Sequence, residues 1–232
     1  FILDVVGDNE ALVARNDRGI NSVADLKGKR VGTPFASTAH YSLLAALQQS
    51  GLSVTDVALV DLQPQAALAA FDRGDVDAVY TWLPTLDDVR ENGKDLITSR
   101  QLAADGKPTL DLGVVSDEFA GTHPDVVDVW RQQQARAVEL INNEPDAAAE
   151  AVAAEIGLSA EQVSGQLKQA VFLTPTEIAA PEWLGTAGHP GNLATNLQSA
   201  SQFLADQHQI PAAGSLESFQ DAIYTEGLPG VL

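Results

Sequence analysis

The 232-residue chain carries 13 Lys+Arg against 32 Asp+Glu, a formal net charge of −19, and 45% hydrophobic residues. The apolar fraction is enough to bury real cores and excludes a disordered acidic tail, and the charge argues against nucleic acid and anionic membrane surfaces, which need clustered Lys and Arg. No Cys is present, which removes disulfides, thiolate chemistry and Cys-ligated metal centres and suits an extracytoplasmic protein.

The length allows one large or two small domains. No apolar run reaches the ~18 residues that a membrane-spanning helix needs. Phe1-Ile2-Leu3-Asp4-Val5-Val6 reads as a strand, with no basic n-region or cleavage site ahead of it. Because it is a strand of mid-domain type and the chain holds no Met, the chain is expected to start inside a longer protein.

The first hundred residues alternate strand and helix. A helical turn at 22–26 leads into a strand over 28–33. A helix follows from Ser37 or Thr38 to Ser50, with Leu43, Leu44 and Leu47 on one face and Gly51 as its stop. A strand over 57–62 precedes a helix that Pro64 opens and Gly74 stops; a strand over 76–81 precedes a helix from Pro84 to Glu91, stopped at Gly93; Leu96-Ile97-Thr98 is strand-like again. Three strand–helix units in series predict right-handed crossovers and a mainly parallel sheet. A strand-like connection over 110–115 reads as a return crossing between lobes. Beyond about residue 118 the pattern is helical, over 124–143, 146–156, 160–170 and 191–208, with Val126, Val127, Trp130, Ala137, Val138 and Ile141 as an apolar stripe. No Pro/Gly/Ser-rich linker separates the α/β part from the helical part.

Catalytic signatures are missing. No Gly-x-Ser-x-Gly elbow, P-loop or Gly-x-Gly-x-x-Gly occurs. The His residues at 40, 123, 189 and 208 show no metal-ligand spacing. Arg73-Gly74-Asp75 matches an adhesion tripeptide, but a helix C-cap glycine between polar neighbours is the simpler reading.

Binding chemistry is present instead. Pro34-Phe35-Ala36-Ser37-Thr38-Ala39-His40-Tyr41 joins a strand end to a helix start. Ser37 and Thr38 are good N-caps, and the first-turn N–H groups open at the C-terminal edge of the sheet, where α/β sheets bind ligands. Dipole and hydroxyls together favour a tetrahedral anion; a plain capping motif explains the same residues. Trp82, in Tyr80-Thr81-Trp82-Leu83-Pro84, sits at a second such edge and either stacks on a ligand or fills the core. Gln63 ends the preceding strand and either donates into the crevice or caps the next helix. Asp111, in Pro108-Thr109-Leu110-Asp111-Leu112, lies on the return crossing; an Asp in a strand is unfavourable unless it is paired or functional. Glu10 precedes the outward crossing in the same way. Either carboxylate suits a ligand ammonium; the plain alternative is a solvated carboxylate, and for Glu10 it is the first reading.

These stretches resemble a known family. Glu10-Ala11-Leu12-Val13, the strand from Lys27 to Phe35, Ser37 to Leu47, Leu62-Gln63-Pro64, Arg73 to Ala78, Trp82-Leu83-Pro84 and Pro108-Thr109-Leu110-Asp111 are similar to the taurine-binding proteins of ABC importers. These belong to the aliphatic sulfonate and nitrate branch of type 2 periplasmic solute-binding proteins. The resemblance covers nearly the whole chain and is densest over 10–112. Such proteins carry a further stretch before the position of Phe1, so the N-terminal part of lobe one is expected to be absent here. The stretch over 172–192 departs from the family pattern.

The resemblance implies a type 2 periplasmic binding protein fold: two α/β lobes joined by two crossing strands. Lobe one takes 1–14 and 112–232, with C-terminal helices, and lobe two takes 15–111. It implies an extracytoplasmic receptor, free or lipid-anchored, that binds taurine between its lobes and delivers it to an ABC permease. The receptor is expected to act as a monomer, without cofactor, metal, nucleic acid or catalytic residue. Ser37 and Thr38 take the sulfonate with His40 beside them. Trp82 covers the methylenes, Asp111 with Glu10 takes the ammonium, and Gln63 completes the shell. The alternatives are a receptor for another alkanesulfonate, nitrate or a pyrimidine precursor; an enzyme of pyrimidine synthesis with the same fold, which would want clustered His or Cys; and a regulator's effector domain.

Overall fold

The computed structural model describes residues 1–225. Strand β1 (Ile2–Val5) belongs to one compact unit with the chain from Leu110 onwards, and Val6–Thr109 form a second unit. The divisions fall at 5/6 and 109/110, where the sequence puts them at 14/15 and 111/112. The shift has a simple cause: β2 (Glu10–Arg15) is a sheet strand of unit 2, bonded on both edges, and not a tether. Residues 226–232, assigned to lobe one from sequence, lie outside the described residues.

Unit 2 is built on a five-stranded sheet. After β2 come 3-10 turns at Asn16–Arg18 and Val23–Leu26, then β3 (Arg30–Thr33), α1 (Thr38–Gln49), β4 (Ala58–Asp61), α2 (Pro64–Arg73), β5 (Ala78–Trp82), α3 (Thr85–Glu91), β6 (Gly93–Thr98) and α4 (Ser99–Ala104). The strand order is β4-β3-β5-β2-β6. β3 runs parallel to β4 and β5, but β2 is antiparallel to both β5 and β6. The sheet is therefore mixed, not mainly parallel: β2 enters before the βα units and inserts between β5 and β6.

Ala11 to Ala14 of β2 are fully buried, as expected of a strand covered on both faces. Alternation splits them. Leu12 and Ala14 join Tyr80, Leu43 and Leu47 in one core, and Ala11 and Val13 join Phe71, Leu86 and Val89 in the other. The helices obey their local punctuation. Pro64 stands in the first turn of α2, and Gly74 (φ 78°) ends it in the left-handed conformation that an L side chain resists. Arg73 and Asp75 pair at 2.8 Å across that cap, so the adhesion-like tripeptide is a helix terminus. Gly93 does not stop α3; Asn92 ends it and Gly93 begins β6.

Unit 1 pairs β1 with β7 (Leu110–Leu112) in an antiparallel ribbon, and Val5 bridges to Val171. Helices follow: α5 (Asp117–Thr122), α6 (Pro124–Asn143), α7 (Pro145–Ile156), α8 (Ala160–Leu167) and α9 (Pro175–Ile178). The two-residue strands β8 (Gly185–Thr186) and β9 (His189–Pro190) precede α10 (Leu193–Asp206) and α11 (Leu216–Asp221). The buried face of α6 is Val127, Arg131, Ala135 and Val138, whereas Val126 is 46% and Trp130 40% exposed. The face is thus rotated from the expected stripe and carries a buried Arg131, bonded to Asp128 at 2.7 Å. A cavity of about 410 Å³ opens among Phe1, Gly113, Trp130, Phe119, Leu184 and Leu193. Among the described residues no helix is long and apolar enough to cross a membrane.

Candidate functional site

The C-terminal ends of β3 and β5 and the N-terminus of α1 converge in unit 2. Glu10 at the start of β2 is opposite Trp82 at the end of β5, so both side chains leave the sheet on the α1 side. β3 lies parallel beside β5, with Val31 opposite Ala78. The segment 34–37 then turns the chain from β3 into α1. Glu10, Thr38, His40 and Trp82, chosen from sequence, are thereby gathered at one edge of this unit.

Their roles differ in detail from a row of free donors. Ser37 is the N-cap of α1: its Oγ accepts from the His40 N–H at 3.2 Å and donates to the Pro34 carbonyl at 2.6 Å. The capping reading holds for this hydroxyl. Thr38 is half-buried and its Oγ1 donates to Glu10 Oε2 at 2.5 Å. Glu10 is 1% exposed. Its other oxygen accepts from Ser99 Oγ at 2.7 Å and from Ser42 Oγ at 3.4 Å, and Tyr80 OH lies 3.1 Å from Ser99 Oγ. Glu10 is therefore a buried carboxylate held by hydroxyls, not a solvated one. Burial pushes the Tyr80 phenol far above its usual value, and the Glu10 charge adds to it.

His40 is 2% exposed. Its Nδ1 accepts from the Ala36 N–H at 3.2 Å, and its ring stacks on Phe35 at 4.6 Å between centroids. Burial holds its pKa below the ordinary value, with Asp61 acting in the opposite sense. Ala36 takes φ 58°, a conformation costly for a non-glycine residue; it belongs to the tight turn that aims α1. The Phe35 N–H donates to Asp61 Oδ1 at 2.9 Å and fastens this turn to the end of β4. Trp82 is partly buried against the core under α1. Gln63 is exposed at the N-terminus of α2 and makes no capping bond with its side chain.

Asp111 lies in unit 1, exposed in the middle of β7. Directly opposite on β1 is Asp4, only 8% exposed. Sequence reasoning missed Asp4, and missed Ser42, Tyr80 and Ser99 around Glu10. Ser42 had a signal, being four residues after Thr38 on one helical face. The others depend on strand register. Among the described residues no group of three or more His, Cys, Asp or Glu is placed to hold a metal ion.

The model of the NMT1/THI5-like family matches residues 5–148. The taurine-binding periplasmic protein of Escherichia coli K12 is 36% identical over 216 residues, which is 90% of this chain and 65% of that protein. The chain thus spans less than two thirds of that relative. Among solved structures, the periplasmic aliphatic sulphonate binding protein SsuA of Escherichia coli aligns with a TM-score of 0.74 at 21% identity, covering 97% of this chain and 69% of that one. The alkanesulfonate-binding protein SsuA of Xanthomonas axonopodis pv. citri, bound to MOPS, aligns with a TM-score of 0.65 at 24% identity, covering 93% and 71%. The fold is that of the type 2 periplasmic sulfonate-binding proteins. All three of these proteins are named for binding, not for chemistry.

Proposed function

We infer, from the premise that the chain belongs to the NMT1/THI5-like family, that it is the extracytoplasmic solute receptor of an ABC importer for sulfonates, with taurine as its ligand. The observation that carries this reading is the 36% identity to a taurine-binding periplasmic protein across 90% of the chain. The site chemistry supports it. A sulfonate on the first turn of α1 meets the N–H group of the partly exposed Thr38, which has no acceptor inside the helix, and the positive end of the dipole. Trp82 offers an apolar face for two methylenes. The charge of −19 does not oppose an anionic group there, because distant surface charges are screened within ~8 Å at physiological salt while the local dipole is not.

The mechanism is recognition followed by hand-over to a membrane permease, with the receptor acting as a monomer and without turnover or cofactor. A plain alkanesulfonate is the second reading, favoured by the alignment with SsuA proteins. Calorimetric titration with taurine, ethanesulfonate and nitrate, together with mass spectrometry of ligand retained through purification, tests both. Taurine is expected to bind most tightly. Tighter binding of ethanesulfonate would select the second reading, and binding of nitrate alone would overturn both.

A further inference from the structure

Thr38 owns one hydroxyl proton, and the structure has it directed at a buried carboxylate. The 2.5 Å separation from Glu10 Oε2 falls in the range of hydroxyl–carboxylate bonds, which are about twice as strong as neutral ones. The rest of the network runs in the same direction. Ser99 donates to Glu10 at 2.7 Å, Ser42 lies within reach at 3.4 Å, and Tyr80 OH is bonded to Ser99. Thr38, Ser42 and Ser99 all donate to the carboxylate. A hydroxyl whose proton is committed has only lone pairs left to offer.

We propose that Glu10 is a positioning residue for ligand choice: by holding the Thr38 proton, it makes the exposed side of Thr38 an acceptor, so that α1 selects ligands bringing an N–H donor beside their anionic group. This rests on the reading of the α1 N-terminus as the sulfonate subsite. It reverses the role given to the Thr38 hydroxyl from sequence, where it donates to the sulfonate. The main-chain N–H of Thr38 holds the anion; Thr38 Oγ1 facing a sulfonate oxygen would set lone pair against lone pair. An ammonium carries three N–H donors, so it can supply the donor that Thr38 Oγ1 then needs. A sulfonate with no amine leaves Thr38 Oγ1 without a donor once water is expelled, which carries a desolvation penalty.

The experiment has two arms on the full chain. Neutron crystallography of deuterated protein locates the Thr38 deuteron without any ligand. It is expected between Oγ1 and Glu10 Oε2, and a deuteron turned away from Glu10 would overturn the proposal. Calorimetry then compares taurine with ethanesulfonate, which differ in the amine. Thr38→Val should weaken taurine about tenfold, the size of one hydrogen bond to a charged group, and leave ethanesulfonate within about twofold. Thr38→Ser should restore the preference. Glu10→Gln presents an amide donor to Thr38, lets its proton turn outward, and should lower the taurine-to-ethanesulfonate ratio about tenfold with the fold intact by circular dichroism. Equal losses for both ligands in Thr38→Val would mean that Thr38 donates to the sulfonate; the functional reading would then stand and this proposal would fall. No binding of either sulfonate by the parent chain would overturn both.

Discussion

Asp4 on β1 and Asp111 on β7 stand directly opposite one another in the antiparallel ribbon of unit 1. Like charges at opposed positions of an antiparallel pair are destabilising. Asp111→Asn keeps the side-chain shape and removes one of the charges. It should stabilise the chain by about 0.2–1 kcal/mol. Thermal melts of the parent and the variant measure it. A lower melting temperature would show that the Asp111 charge is not repelled within the ribbon.

Ser37 gives the opposite signature. Both its proton and a lone pair are used within the turn, on the Pro34 carbonyl and the His40 N–H. Ser37→Ala should therefore cost about 1 kcal/mol of stability as a lost N-cap, lowering the melting temperature by roughly 2–4 °C in a chain of this size. Taurine affinity should change by less than about twofold. A large loss of affinity without loss of stability would show that the hydroxyl serves the ligand instead.

The difference between these two residues marks how far the sequence carries. Local punctuation was legible: Ser37 before α1, Pro64 within the first turn of α2 and Gly74 after it are where their chemistry puts them. The mixed sheet was not, because nothing in Glu10-Ala11-Leu12-Val13 says that the strand will insert antiparallel between β5 and β6. The same limit applies to the site. Glu10 was visible as a carboxylate near the crevice, but its burial beneath Thr38, Ser42 and Ser99 follows from long-range register. Asp4 was invisible as the counterpart of Asp111, since their pairing passes through an irregularity between Ile2 and Asp4.

His40 supplies a pH test of the α1 turn. Its Nδ1 accepts from the Ala36 N–H, which requires an unprotonated Nδ1, and burial depresses its pKa below 6.5, with Asp61 in partial opposition. The unfolded chain therefore takes up this proton at a higher pH than the folded one does. The stability held by neutral His40 is complete above pH 6.5 and declines as the pH falls from there through the folded pKa. Urea midpoints for the parent and His40→Gln should differ more at pH 7.5 than at pH 5, because the variant lacks this titration. A constant difference would mean that His40 titrates alike in both states.

Gly93 was legible as glycine but not in its role. It opens β6 opposite Arg15, with a backbone any residue could adopt, so conformational freedom is not why it is there. The reason is space: a Cβ would run into Val13 Cγ1 and come within 2.9 Å of Phe71 Cζ and 3.0 Å of the Ala14 carbonyl oxygen. Val13 and Phe71 are fully buried in the core shared with α2 and α3, where extra volume cannot be taken up by solvent. Gly93→Ala should cost about 1–3 kcal/mol by overpacking. Val13→Ala alone should also destabilise, by emptying part of the same core. Combined, the two changes relieve each other, because the removed Val13 methyls vacate the space that the new Cβ needs. Double-mutant analysis by urea denaturation should therefore give a pair less destabilised than the sum of the singles, with an interaction energy of about 0.5 kcal/mol or more. Strict additivity would show that the backbone of β6 moves aside instead, and that the close approach of Gly93 to Val13 does not constrain this sheet.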